Sequence, residues 1–213
     1  MMLYRCGEPM IIKNNSRFTV DESKQGRFYC LGDDKYPSVT TVISKKKNEG
    51  KPVRTTPSMS IGTLVHYHIL RRYSRELIPL PRDGIYGVKR DEVIERIRRC
   101  LDMWEQLNLN ISPICVETAL FCHEPRYAGR LDLLCRIDGD LTLIDIKTGV
   151  PYDTHIKQAG AYWHALREQP QVAFVYLDSF LDRNPDQKAV LKYFTASELK
   201  TGYEEFLNDY IEF

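Results

Sequence analysis

The chain has 213 residues, 43% of them hydrophobic and 28% charged, with 30 basic against 29 acidic side chains and a net charge of +1. This is the composition of an ordinary soluble globular protein, long enough for one well-filled domain. It gives no global signal for a polyanionic partner, so a nucleic-acid surface would need local clustering of charge.

No run of about 18 apolar residues is available to span a membrane. The N-terminal MMLYRCGEPM lacks an apolar signal core and an Arg/Ser-rich transit pattern, which makes a cytoplasmic setting the expectation. Residues 1–35 alternate in short runs (MIIK, RFTV, RFYCL) broken by Gly26 and Gly32, a pattern of short antiparallel strands. In YPSVTTVIS, Pro37 and Ser38 can open a short helix. Residues 45–58 are polar, basic and proline-containing and read as a loop; Lys45, Lys46 and Lys47 are a solvated charge run unless DNA lies nearby.

From Ser60 to Leu77 the spacing is helical, with Ile61, Leu64, Val65, Ile69 and Tyr73 on one stripe and Arg71, Arg72 and Arg75 near its end. A Pro/Gly segment over 79–87 precedes a second helix, DEVIERIRRCLDMWEQL, whose buried side is marked by Val93, Ile94, Ile97, Leu101 and Trp104. VETALF (116–121) is a strand. RLDLLCRI and LTLIDIK form a hairpin around Asp138-Gly139, a strong tight-turn signal. A third helix covers 153–168, FVYLDSF and KAVLKYFTA make a further strand pair, and SELKTGYEEFLNDY is a final helix with Ser197 as its cap. The order from 60 to 178 is that of an α/β protein whose mixed sheet is covered on both faces.

Six cysteines lie at 6, 30, 100, 115, 122 and 135, none spaced C-x-x-C. Buried reduced thiols are the expected reading, with a loosely spaced zinc set of Cys115, Cys122, His123 and Cys135 as the alternative.

The hairpin poses the chemical question. With Asp138-Gly139 at the turn, paired residues have numbers summing to 277, so Asp132 falls opposite Asp145 in strands otherwise made of Leu and Ile. Like charges across a ladder destabilise it. A divalent cation between them reverses that sign, and Mg²⁺ or Mn²⁺ favours oxygen ligands. Lys147 leaves the same strand face as Asp145. Its ammonium there could position a water or stabilise a phosphoryl transition state. An Asp145–Lys147 salt bridge at a strand end is the plainer reading of that pair.

These residues resemble the core of the PD-(D/E)XK nuclease superfamily, and more narrowly its RecB-like exonuclease branch, which includes phage exonucleases and the mitochondrial genome maintenance exonuclease. GRLDLL and LIDIKTG match its two acidic positions and lysine at Asp132, Asp145 and Lys147. GTLVH matches the upstream helix motif at Gly62 and His66, VETALF the acidic strand before the hairpin at Glu117, and QAGAY the Q-x-x-x-Y motif at Gln158 and Tyr162. YPSVTTVIS is similar to an N-terminal segment of phage members. Asp132 lacks the preceding proline usual in this branch.

The resemblance implies a restriction-endonuclease-like αβββαβ core with a mixed sheet flanked by helices. It places the catalytic core at 59–178 of a single nuclease domain. A β-rich extension and basic loop (1–58) would precede the core, and a strand and helix (179–213) would follow. It further implies that His66, Asp132, Asp145 and the Ile146 carbonyl bind Mg²⁺ or Mn²⁺, with Glu117 at a second ion or its water. Lys147 would orient the attacking water, and Gln158 and Tyr162 would touch the active site or DNA.

The implied activity is a DNA exonuclease leaving 5′-phosphates in replication, recombination or repair, in a prokaryotic or phage-infected cell. An endonuclease on the same core, or a non-catalytic nucleic-acid-binding subunit, are the alternatives. No iron–sulfur cluster is expected, since no cysteine follows Cys135, and no nucleotide-binding loop appears, so strand opening would come from a helicase or another replication or recombination partner. Read individually, His66 could be a core histidine, Glu117 a solvated edge carboxylate, and Tyr162 a packing residue or one that stacks on a base or bonds a phosphate. Arg130, opposite Lys147 in the expected register, could face phosphate or solvent. The loop over 45–54 with Arg71, Arg72 and Arg75 supplies candidate cations for the phosphate backbone.

Overall fold

A computed structural model describes residues 10–12, 18–23, 26–45, 57–76, 78, 89–166, 168–177 and 186–213. The elements in chain order are β1 (Met10–Ile12), β2 (Thr19–Ser23), β3 (Gly26–Leu31), β4 (Asp34–Pro37), α1 (Val39–Lys45), α2 (Pro57–Leu70) and α3 (Arg90–Gln106). After these come β5 (Ile111–His123), β6 (Arg126–Ile137), β7 (Asp140–Thr148), α4 (Thr154–Ala165), β8 (Gln171–Leu177), β9 (Val190–Phe194) and α5 (Ala196–Ile211).

Strands β5 to β9 lie side by side in sequence order, and β1 adds a three-residue edge beside β5. Only β7 and β8 run parallel, joined through α4; the other pairs are antiparallel, so the sheet is mixed. The α/β architecture expected from the element order is therefore present. A second sheet, β2-β3-β4, forms the β-rich N-terminal region.

Alternation along the strands sorts apolar side chains into two layers. Leu143, Val172 and Phe174 pack under α1, α4 and α5, while Ile144, Ile146 and Val175 pack under α2 and α3. A third cluster joins the sheets: Tyr36 meets Phe121 edge-to-face at 5.3 Å, with Tyr29 and Phe18 alongside. This cluster docks the small sheet against β5 and β6, the strands that carry Glu117 and Asp132.

Several local expectations need correction. α2 begins at Pro57, inside the expected loop, and ends at Leu70 rather than Leu77. There Arg72 N–H and Tyr73 N–H turn back to Ile69 and Leu70 carbonyls, and Trp104 Nε1 donates to the Tyr73 hydroxyl. In α3, Ile94 is 42% exposed, while Cys100 and Met103 are inside. The buried stripe is centred on Val93, Cys100 and Trp104, and Ile94 sits about 100° round from Val93. α5 is capped by Thr195, not Ser197: Thr195 Oγ1 accepts from Glu198 N–H while the Glu198 carboxylate accepts from Thr195 N–H, a reciprocal capping box. α4 ends at Ala165. The expected loop over 46–56 and the Pro/Gly segment at 79–87 lie outside the described residues.

Candidate active site

Asp138 (φ 51°) and Gly139 (φ 99°) both take positive φ, as a two-residue hairpin turn of the mirrored type requires. The expected register holds from Ile137–Asp140 to Leu133–Ile144, and there the ladder stops. Asp132 and Asp145 are thus not a regular cross-strand pair. β7 continues in parallel with β8, and the Asp132 carboxylate takes over as acceptor for Ile146 N–H, with Oδ2 at 2.8 Å. The ladder ends before the two carboxylates, yet they stay close enough for Asp132 to repel the charge on Asp145. The expected Arg130–Lys147 pairing is also absent. Arg130 pairs with Ala119 on β5, and its guanidinium is 3.6 Å from Glu117.

Glu117 lies between the pairs Val116–Leu133 and Thr118–Leu131, which leaves it facing Asp132 outside the regular ladder. Its φ of 48° is unusual for a residue with a side chain, and strain of this kind collects at functional sites. α2 delivers His66 from the other direction, with Nδ1 3.4 Å from Asp132 Oδ2. Ligand atoms of His66, Glu117 and Asp132 all lie within 4.8 Å of one another, and among the described residues no other set of three potential metal ligands converges in this way. The cysteine-based zinc set is not assembled. His123 Nδ1 meets the Tyr36 hydroxyl at 2.8 Å, and Cys100, Cys115, Cys122 and Cys135 are buried.

Asp145 stands beside this triad and belongs to a second group. Its Oδ1 accepts from Gln158 Nε2 at 3.1 Å, and Gln158 Oε1 accepts from Lys147 Nζ at 2.8 Å. Lys147 Nζ is 2.5 Å from Asp145 Oδ2 as an ion pair, in which the aspartate side chain is only 4% exposed. Gln158 Nε2 also reaches the Tyr162 hydroxyl at 3.2 Å. Tyr162 is 3% exposed, so its ring is packed rather than open to a stacking base, while its hydroxyl meets Gln158.

Two glycines of the motifs have steric reasons. A Cβ on Gly129 would stand 2.4 Å from the Tyr162 ring, and one on Gly62 2.6 Å from Thr148 Oγ1 at the end of β7.

The charges are mutually dependent. Desolvation would lower the His66 pKa, but the adjacent Asp132 carboxylate, helped by Asp145 and Glu117, lifts it to about 9. Burial, then repulsion from Asp132, raises Glu117 to about 7. Burial also raises Asp145 to about 6, against the pull of Lys147 and with the push of Asp132. Asp132 is held below its ordinary value despite burial, through His66, Lys147 and the Ile146 N–H.

Two carboxylates, an imidazole and a buried third carboxylate beside them are the donor set of a hard or borderline divalent cation. In the ion's absence a proton on His66 balances some of that negative charge. The residues fit a divalent metal.

The site opens into a cleft of about 750 Å³. His66, Glu117, Asp132, Asp145, Ile146, Lys147, Gln158 and Tyr162 all line it, so every expected site residue faces one space. Its cationic walls differ from expectation. Arg71, Arg72 and Arg75 are not in the lining: Arg71 lies over the Tyr67 ring and Arg72 pairs with Glu105. Among the described residues, the lysine and arginines in the lining are Lys147, Arg130 and, from the small N-terminal sheet, Arg27; the expected basic loop lies outside them. Arg27 and Tyr29 had no motif to announce them; only the docking of the small sheet through Tyr36 and Phe121 brings them to the cleft.

A model of the PD-(D/E)XK nuclease superfamily matches residues 43–209, from within α1 to within α5. The chain belongs to that superfamily. Its members are nucleases that use divalent metals, and DNA is the substrate class the family implies. No curated protein matches the chain. Among the described residues no helix is long and apolar enough to cross a membrane.

Proposed function

We propose that the protein is a Mg²⁺- or Mn²⁺-dependent DNA exonuclease of the RecB-like branch, leaving 5′-phosphates during replication, recombination or repair of phage or prokaryotic DNA. The observation that carries the hydrolytic reading is the convergence of His66, Glu117 and Asp132 within 4.8 Å, beside an Asp145–Lys147–Gln158 group in the same cleft. A scaffold used only for binding has no need of buried, mutually repelling carboxylates.

His66, Asp132 and Glu117, together with Asp145 and the Ile146 carbonyl, would hold the ion. The bound ion supplies Lewis-acid polarisation of the scissile phosphate and acidifies water. Lys147 orients the attacking water and stabilises charge building on the phosphoryl oxygens. Water oxygen bonds to phosphorus, the P–O3′ bond breaks, and the 3′-oxygen leaves with a proton. Gln158 fixes the Lys147 ammonium by accepting from it, and Tyr162, seated over Gly129, fixes Gln158.

The test is cleavage of end-labelled linear DNA by wild type, Asp145→Ala and Lys147→Ala, with and without EDTA. A shortening ladder that needs metal and vanishes in both variants is expected. Internal cuts on circular DNA would make the protein an endonuclease. Binding of DNA in Mn²⁺ without cleavage of any form would make it a non-catalytic subunit.

A further inference from the structure

The β7–α4 connection places an aromatic side chain where the reaction described above has no use for it. Tyr152 is 61% exposed yet lines the cleft, together with Lys147, Thr148 and the exposed Val150. Its backbone is tied down. His155 N–H donates to the Tyr152 carbonyl at 2.9 Å, and Tyr152 N–H donates to His155 Nδ1 at 3.3 Å. The Tyr176 hydroxyl lies 3.1 Å from the same nitrogen. The rings follow the same order: Tyr152 meets His155 edge-to-face at 5.5 Å, and His155 stacks on Tyr176 at 5.6 Å. Tyr176 is the β8 partner of Lys147. The outermost ring is therefore referenced to the strands that carry Asp145 and Lys147, and an edge-to-face contact leaves at least one of its faces open.

We propose that Tyr152, backed by His155 and Tyr176, is a stacking platform for an unpaired nucleobase at the mouth of the cleft, and that it makes single-stranded ends the preferred substrate; this rests on the nuclease reading above. An exposed aromatic face beside a charged cleft gains nothing in the folded protein alone, whereas base–aromatic stacking stabilises a bound single strand substantially per base. In a duplex, base faces are already stacked on one another and are not offered to the protein. The cleft volume is that of a pocket enclosing a small ligand, room for the nucleotides of one strand. Arg27 and Arg130, also in the lining, can take the phosphates of that strand while Tyr152 takes a base.

The experiment uses the full chain carrying Lys147→Ala, in Mn²⁺, so that DNA is bound and not cut. A single-stranded oligonucleotide with 2-aminopurine at its terminal position reports stacking as fluorescence quenching. Quenching is expected with Tyr152 and with Tyr152→Phe. It should be lost in Tyr152→Ala, with affinity falling roughly 5- to 100-fold, as expected for one stacked base. Blunt duplex should bind all three equally. In the cleaving protein, Tyr152→Ala should raise KM on single strands and leave kcat within about twofold. Equal quenching and affinity for Tyr152→Ala and its parent would overturn the platform, as would an equal loss on duplex. The binding readout needs no cleavage. Tyr152-dependent quenching in a protein that never cuts would sink the nuclease reading and leave the platform standing.

Discussion

The Asp132 carboxylate accepts the backbone N–H of Ile146 at the point where β6 and β7 diverge, just beyond their last regular pair. A single side chain thereby continues a hydrogen-bond ladder that its own charge interrupts. The same Oδ2 is the atom nearest His66, so strand geometry and ligand geometry are set together.

Asp132→Ala and Asp132→Asn should therefore differ in stability and agree in function. Alanine leaves the buried Ile146 N–H without an acceptor, at a cost of about 1–3 kcal/mol, whereas the asparagine carbonyl oxygen can replace it. Neither supplies the charge a divalent ion needs. Urea unfolding should rank alanine below asparagine, and Mn²⁺ titration should show weak binding in both.

Lys147→Ala should separate metal binding from catalysis. The ammonium is the counter-charge of Asp145 but is not itself a ligand. Mn²⁺ affinity should be kept or strengthened, while cleavage falls by roughly 10²–10⁴. Parallel loss of both would mean that Lys147 acts by holding the site together.

The metal-free protein should lose stability as pH rises. Glu117, at about 7 against an ordinary 4.5, and His66, at about 9 against 6.5, both bind protons more tightly when folded. Their contribution is present at low pH and is lost between about pH 4.5 and 7 for Glu117, and between 6.5 and 9 for His66. Asp132, held low, acts oppositely and only below its ordinary value of 3.8. Since an ion must displace these protons, the rise in Tm given by Mn²⁺ should be larger at pH 8.5 than at pH 6.5. Thermal unfolding across pH, with and without the ion, checks both signs.

Gly129→Ala should impair the site through Tyr162. The added methyl meets the ring at 2.4 Å, and overpacking of this kind costs about 1–3 kcal/mol. Displaced tyrosine also releases Gln158, and with it Lys147. Cleavage per folded molecule should fall while Mn²⁺ affinity at His66, Glu117 and Asp132 changes little.

Sequence reasoning reached the elements whose cause is local. The Asp138-Gly139 turn has a two-residue signature, and α3 has a 3.6-residue period, so both could be read directly. Motif order alone puts His66, Glu117, Asp132 and Asp145 in one site, because no spacing rule links a helix to strands 51 and 66 positions away; that Glu117, rather than Asp145, closes the triad with His66 and Asp132 is visible only in the structure. What escaped depends on tertiary contact. Arg27 enters the cleft only because two sheets dock, Arg71 and Arg72 are engaged with Tyr67 and Glu105 outside the cleft lining, and the positive φ of Glu117 has no glycine to advertise it. Asp132 and Asp145 were paired by arithmetic that assumed an unbroken ladder.

Gly160 and Gly202 let α4 and α5 approach until a methyl on either would collide with the other helix's main chain. The terminal helix is thus the outer jaw of a vice whose inner jaw presents Gln158 to Lys147. Widening it by one carbon atom, far from any phosphate, would slacken the grip on the reacting centre. Loss of activity from a change near the C-terminus need not signal a lost DNA contact.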